Sequence, residues 1–169
     1  MTRSKPARGI AMWIFILFIV ALMGFVFYFS LKSQKQLLAD GKIICRRIDF
    51  MESAEEFILT SVDPASVTEA VKAMDYVDMR AKMQGNNEQQ FFEFTGSNWT
   101  ARLHRLSNDD AQTVYRFEFT SWKTRNGMPC DALNMNKLTT AVEKIFLSLD
   151  PNTQVQTVPL EFKTKHSIL

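Results

Sequence analysis

IAMWIFILFIVALMGFVFYF, residues Ile10 to Phe29, runs for twenty residues without a charge. As a helix rising about 1.5 Å per residue it is roughly 30 Å long, which matches the hydrocarbon core of a bilayer. A stretch apolar on every side cannot be one face of an amphipathic surface helix, so it predicts a membrane span over residues 10–30. Ile10, Trp13, Phe15, Phe18, Phe25 and Tyr28 are the side chains expected to hold it in lipid, with Trp13 and Tyr28 at the two interfaces. Gly24 has no small residue four positions away, so the span lacks a close-packing dimer motif. With no ionisable residue inside, it offers no proton relay or ion path.

Working outward, residues 1–9 form a basic tail containing Arg3, Lys5 and Arg8. Together with the apolar run it resembles a signal peptide. The run is longer than the usual ~7–15 residues, however, and YFSLKSQKQLL follows it with no small-x-small cleavage site, which predicts a retained signal-anchor. Residues 31–41 keep good helix formers and predict a juxtamembrane stalk that stays helical to Asp40, with Gly41 as the stop. Basic residues lie on both sides of the span. The short tail tips the orientation towards a cytoplasmic N-terminus and an extracytoplasmic domain.

Residues 42–165 suit one domain, and 166–169 form a C-terminal tail. The net charge of +2 hides an asymmetry. Up to Arg47 there are eight basic residues against Asp40 alone, giving +7; from Ile48 onward there are twelve basic and seventeen acidic, giving −5. The basic flanks suit lipid head groups, and the acidic domain argues against a nucleic-acid partner.

Within the domain, GKIICRRIDFMESAEEF fits a strand or a short helix equally well, and FILTSV from Phe57 reads as a strand. Asp63-Pro64 then starts a helix in which Ser66 and Glu69 have capping-box spacing; Val67, Val71, Met74 and Val77 carry the period to about Gln84. A hairpin follows. Phe92, Phe94, Trp99, Ala101 and Leu103 alternate with Glu93, Thr100, Arg102 and His104, and a bulge or tight turn is expected at Gly96-Ser97-Asn98. Beyond a polar tip at 107–110, Tyr115, Phe117 and Phe119 alternate with Arg116, Glu118 and Thr120, and Asn126-Gly127 marks a turn. A second helix spans about Leu133 to Leu149 and is stopped by Asp150-Pro151. VQTVPLEFKTK reads as an edge strand, because Pro159 cannot donate to a central ladder. The predicted class is α+β: one transmembrane helix, then a small ferredoxin-like (split βαβ) or similar two-layer domain.

The chemistry is sparse. His104 and His166 are far apart, and no His, Cys or acid cluster has metal-ligand spacing, so neither a metal nor a cofactor is expected. There is no phosphate-cradling glycine loop and no serine elbow. Glu55-Glu56 and Asp109-Asp110 read as solvated turn or loop charges and Asp75/Asp78 as a helix surface, so no catalytic residue is assigned. Cys45 and Cys130 are candidates for a disulfide if the domain is extracytoplasmic. The hairpin aromatics could stack bases, but the −5 charge favours core packing instead. Asn98-Trp99-Thr100 is a glycosylation sequon, and Ser167-Ile168-Leu169 loosely fits the form that strand-adding peptide-binding domains accept.

The expected function is a single-pass, membrane-anchored binding or scaffolding component of a membrane-associated assembly, with the bilayer and an unidentified protein as partners. A membrane-tethered enzyme subunit would instead require a pocket lined by Cys45, Cys130 or a carboxylate pair. A small-ligand sensor would require an apolar cavity between sheet and helices.

Overall fold

The computed structural model describes residues 7–60, 62–86, 88–109, 112–160 and 166–167, and the chain divides into two units at Gly41/Lys42. The first unit is one continuous helix, α1 (Ala7–Ala39). Nothing in its sequence breaks it before Gly41, whose φ of +64° is the left-handed conformation that ends a helix, its N–H reaching the Leu38 carbonyl at 3.0 Å. From Met12 to Ala39 the helix is long and apolar enough to cross a membrane, and no part of that stretch is buried against protein.

The second unit is an α+β domain. Its elements, in chain order, are β1 (Ser53–Leu59), α2 (Pro64–Lys72), β2 (Lys82–Asn86), β3 (Phe91–Thr95), β4 (Trp99–Asp109), β5 (Gln112–Arg125), β6 (Met128–Pro129), α3 (Ala132–Leu149), β7 (Gln154–Pro159) and β8 (His166–Ser167). The sheet runs β2-β3-β4-β5-β1-β7 with every neighbour antiparallel; β6 pairs antiparallel and β8 parallel with the far end of β5. It is larger than the split βαβ arrangement expected from the sequence, because two further strands, β2 and β3, extend it beyond β4.

One face of the sheet is apolar by period-two alternation. Phe57, Phe92, Phe94, Leu103, Tyr115 and Phe117 pack there against Val67 and Val71 of α2 and Met135, Leu138, Val142 and Phe146 of α3. Phe146 stacks on Phe57 with ring centroids 4.4 Å apart and tilts against Tyr115 at 5.2 Å. The Tyr115 hydroxyl donates to Gln90 Oε1 at 3.0 Å, and Gln90 Nε2 donates to Thr68 Oγ1 at 2.9 Å, so the turn residue Gln90 links the buried polar groups of β5 and α2. Burial pushes the Tyr115 hydroxyl up to about 12. The opposite face carries the charges: Glu93, Arg102 and Glu118 are aligned across β3, β4 and β5, and His104, Arg116 and Glu56 across β4, β5 and β1.

Several sequence expectations change. The helix starting at Pro64 ends at Lys72 rather than near Gln84. Val77, which fits its apolar stripe in sequence, is 88% exposed, and the chain turns through Asp75–Arg80 before entering β2. Residues 82–84 form an edge strand in register with Phe94 and Glu93 because Met83 and Ala81 pack on the core from there. Ser66 is no cap: Pro64 occupies the first helical turn and Asp63 precedes it, so Ser66 already donates its N–H to the Asp63 carbonyl at 3.0 Å. The interruption at Gly96-Ser97-Asn98 is a turn between two separate strands, β3 and β4. Gly96 is required there, because a Cβ would come within 2.2 Å of the Trp99 indole. The ambiguous stretch before β1 is extended and irregular and closes in a single 3₁₀ turn over Phe50–Glu52. Asn126 and Gly127 turn at φ values of +52° and +76° as the sequence predicts. Asp110 and residues 161–165 and 168–169, on which parts of the polar tip, the last strand and the tail were placed, lie outside the described residues.

Candidate functional site

Two features of the domain meet at one end of the sheet: a bare strand edge and a polar cleft. The edge is β7. Among the described residues it pairs with β1 alone, and its sequence, QVQTVP, has no charge and an exposed face along most of its length. The Leu160 N–H donates to the Glu52 carbonyl at 3.0 Å. In the register that places Pro159 opposite Ser53, this makes the even-numbered residues of β7 bond inward to β1. The backbone groups of Val155 and Thr157 therefore point outward, and so does the position of Pro159, whose missing N–H costs the sheet nothing there.

The cleft, about 430 Å³, opens beside the last residues of that strand. Arg46, Glu55, Phe50, Glu52, Thr157 and Pro159 are among its walls. Phe50 anchors the 3₁₀ turn by an edge-on contact with Phe119, centroids 5.9 Å apart, and this brings Arg46 over the start of β1. The Arg46 guanidinium bridges two carboxylates: Glu55 of β1, in direct contact, and Glu143 of α3 at 2.6 Å. Their side chains are 11%, 14% and 25% exposed, respectively. Burial pushes the Glu55 carboxyl up; Arg46 pulls it back down and Glu143 pushes it up again, with a net rise. Arg46 Nε and Glu55 Oε2 are buried without a hydrogen-bond partner among the described residues. Chemically the cluster ties the segment before β1 to both a strand and a helix. Among the described residues its lining contains no cysteine or histidine.

The residues singled out in the sequence are dispersed. Trp13, Phe15, Phe18, Phe25 and Tyr28 project from α1 with their side chains exposed, and the side chain of Ile10 lies outside the described set. Cys45 and Cys130 are exposed and unbonded, the first in the segment before the 3₁₀ turn and the second just before α3. Glu55 and Glu56 are not solvated turn charges. They point to opposite faces of β1, and each is held by its own arginine: Glu55 by Arg46, and Glu56 by Arg116, whose Nε donates at 2.9 Å. Asp75 and Asp78 belong to a turn rather than a helix surface; Asp78 pairs with Lys42 at 3.3 Å and Lys137 at 3.2 Å. His104 sits on the charged face with Nδ1 unpartnered, and burial, then Arg102 and Arg116, hold its imidazole below the usual range despite Glu118. Among the described residues no group of three His, Cys, Asp or Glu could hold a metal ion. Sequence reasoning missed Arg46 altogether, since its partners lie nine and ninety-seven residues away and no motif joins them.

No protein-family model matches the chain, and no curated protein matches it.

Proposed function

We propose that the chain is a single-pass membrane protein whose domain, residues 42–165, is a binding or scaffolding component of a membrane-associated assembly and receives its partner as an added strand along β7. The observation that carries this reading is the free edge. Val155 and Thr157 direct their backbone groups outward from an uncharged strand that lacks the lysines and inward-pointing charges that usually close such edges. Strand addition supplies affinity through main-chain hydrogen bonds and specificity through neighbouring pockets, and the cleft at Thr157 and Pro159 is such a pocket. The bilayer is the other partner, through α1 retained as a signal-anchor with the domain on the extracytoplasmic side. The excess of acidic residues from Ile48 onward disfavours nucleic acid. We assign no reaction: Glu55 is engaged in holding Arg46, and Arg47 and Asp49 pair with each other at the surface. We also read the strands β7-β1-β5-β4 with α2 and α3 as an elaborated split βαβ unit, supported by their antiparallel order, with β2 and β3 added at the far edge.

Two measurements test this. Fusing alkaline phosphatase and a fluorescent protein in turn to Leu169 should give an active phosphatase and a dark fluorophore; the reverse pattern refutes the orientation. On native gels of detergent-solubilised membranes, Thr157→Pro and Val155→Lys should each release the chain from its assembly. Migration identical to wild type in both variants refutes strand acceptance at β7.

A further inference from the structure

The edge strand is complementary to itself. Two antiparallel neighbours in one continuous sheet are related by a two-fold axis perpendicular to it, which keeps each face on its own side. Odd residues of β7 must then oppose odd residues, and even oppose even. Among such registers, the one centred on Gln156 places Val155 opposite Thr157 of the second strand and Thr157 opposite its Val155. Both residues have outward-pointing backbone groups, so each pair exchanges an N–H and a carbonyl in both directions. Every outward amide and carbonyl of Val155 and Thr157 is satisfied. Centring on Thr157 instead sets Val155 against Pro159, which has no N–H, and strands the Val155 carbonyl. Centring on Val155 sets Thr157 against Thr153, whose N–H is already given to Asp150.

The side chains agree with this register. β-branched Val155 and Thr157 face each other on the helix side, Gln156 meets its own copy on the other side, and no charge opposes a like charge. The anchor favours the contact as well. Copies inserted with the same topology are confined to one membrane plane, which raises the effective concentration of each domain for the other.

We infer that the strand received by β7 is the β7 of a second copy of this chain, paired antiparallel about Gln156. This rests on the reading that β7 accepts a strand, and it names the partner.

The register makes Gln156 and its copy a non-hydrogen-bonded pair with Cα atoms about 4.5 Å apart, within the range of roughly 4.4–6.8 Å that a disulfide bridges. The experiment uses the full chain in native membranes with Cys45→Ser and Cys130→Ser, oxidised and run on a non-reducing gel. Gln156→Cys should give a covalent dimer on the order of tenfold more abundant than Gln154→Cys or Val158→Cys, whose own copies lie beyond that range. Val155→Lys, an exposed position 39% open to solvent, should abolish the Gln156→Cys dimer.

Equal cross-linking at 154, 156 and 158 would overturn the inference, as would a Gln156→Cys dimer that Val155→Lys leaves intact. If Gln156→Cys stays monomeric while Val155→Lys strips a different protein from the chain, strand acceptance stands and the second copy falls. If Gln156→Cys stays monomeric and Val155→Lys removes nothing, both readings fall.

Discussion

Replacing Arg46 with methionine tests what the cleft cluster contributes to stability. The guanidinium is nine parts in ten removed from solvent and holds Glu55 in contact and Glu143 at 2.6 Å. Arg46→Met keeps the bulk of the stem and removes the charge, leaving two carboxylates facing each other. Breaking a buried pair by removing one partner costs about 3–5 kcal/mol; with Glu143 a quarter exposed and Glu55 able to take up a proton, about 2–4 kcal/mol is expected. For a domain of this size that is roughly 10 °C in Tm, readable by circular dichroism of the full chain in detergent. The pH dependence has a definite sign. Glu55 has a folded-state pKa above its unfolded value, so the cost of burying its charge is fully present above the folded pKa and disappears as pH falls towards about 4.5. Without Arg46 the carboxyl rises further, so the deficit of Arg46→Met should shrink between pH 7.5 and 5. Arg46→Met with Glu55→Gln and Glu143→Gln should regain most of the loss, since no charge is then left buried. A single variant within about 0.5 kcal/mol of wild type, or a triple variant less stable than the single, refutes the reasoning.

Other sites give sharper or simpler readouts. Phe146→Ala removes the ring stacked on Phe57 and tilted against Tyr115 and should cost about 3–5 kcal/mol in chemical denaturation. Gly96→Ala places a methyl within 2.2 Å of the Trp99 indole and should destabilise by about 1–3 kcal/mol, with a changed tryptophan emission spectrum. Tyr115→Phe removes the donor to Gln90 Oε1 and should cost about 1–2 kcal/mol, measured in the same denaturation series. The Asp150 carboxyl is held below the usual range by the backbone N–H groups of Thr60 and Asn152. Its contribution is therefore present above the ordinary carboxylate pKa and lost as pH falls through the lower folded value. An acid titration of Asp150→Asn against wild type should show the two converging at low pH.

How far the sequence could be read depended on whether a signal was local. The anchor is local: its composition alone defines α1, and Gly41 alone ends it. β5 and α3 are also local, because Tyr115, Phe117 and Phe119 keep strict alternation and Met135, Leu138, Val142 and Phe146 keep the helical period. The segment from Met74 to Gln84 reads as helix in sequence because its apolar residues fit a helical stripe. In the fold, Met74 and Tyr76 pack on the core from a turn and Met83 from a strand, so tertiary packing overrides the period. The cleft was illegible for a different reason. Arg46, Glu55 and Glu143 meet only once β1 and α3 are packed together, and three common charged residues at unrelated spacings leave no trace in one dimension. The edge strand was half legible. Pro159 marked it as an edge, but which backbone groups face outward depends on its register with β1.

The two ends of the sheet are unlike, and the difference bears on what the domain is for. At one end β2 is five residues long and begins with Lys82; Gly85 gives no side chain to a neighbour, and a Cβ there would strike the Phe92 ring at 2.6 Å. A short strand carrying a lysine and a glycine is a poor template for further pairing. At the other end β7 offers Val155 and Thr157 with nothing charged between Gln154 and Pro159. Such an edge is a hazard in any protein that encounters others freely, because indiscriminate strand pairing leads to aggregation. It is tolerable where a specific partner satisfies the outward amides before a stray one can, and where the contact is limited in extent. Pro159 limits it at one side, since pairing cannot draw an N–H from that position, and the Asp150 turn limits it at the other by engaging the Thr153 N–H. What remains open is a window of two outward-facing residues, long enough for four hydrogen bonds with a matching strand and too short to template a fibril.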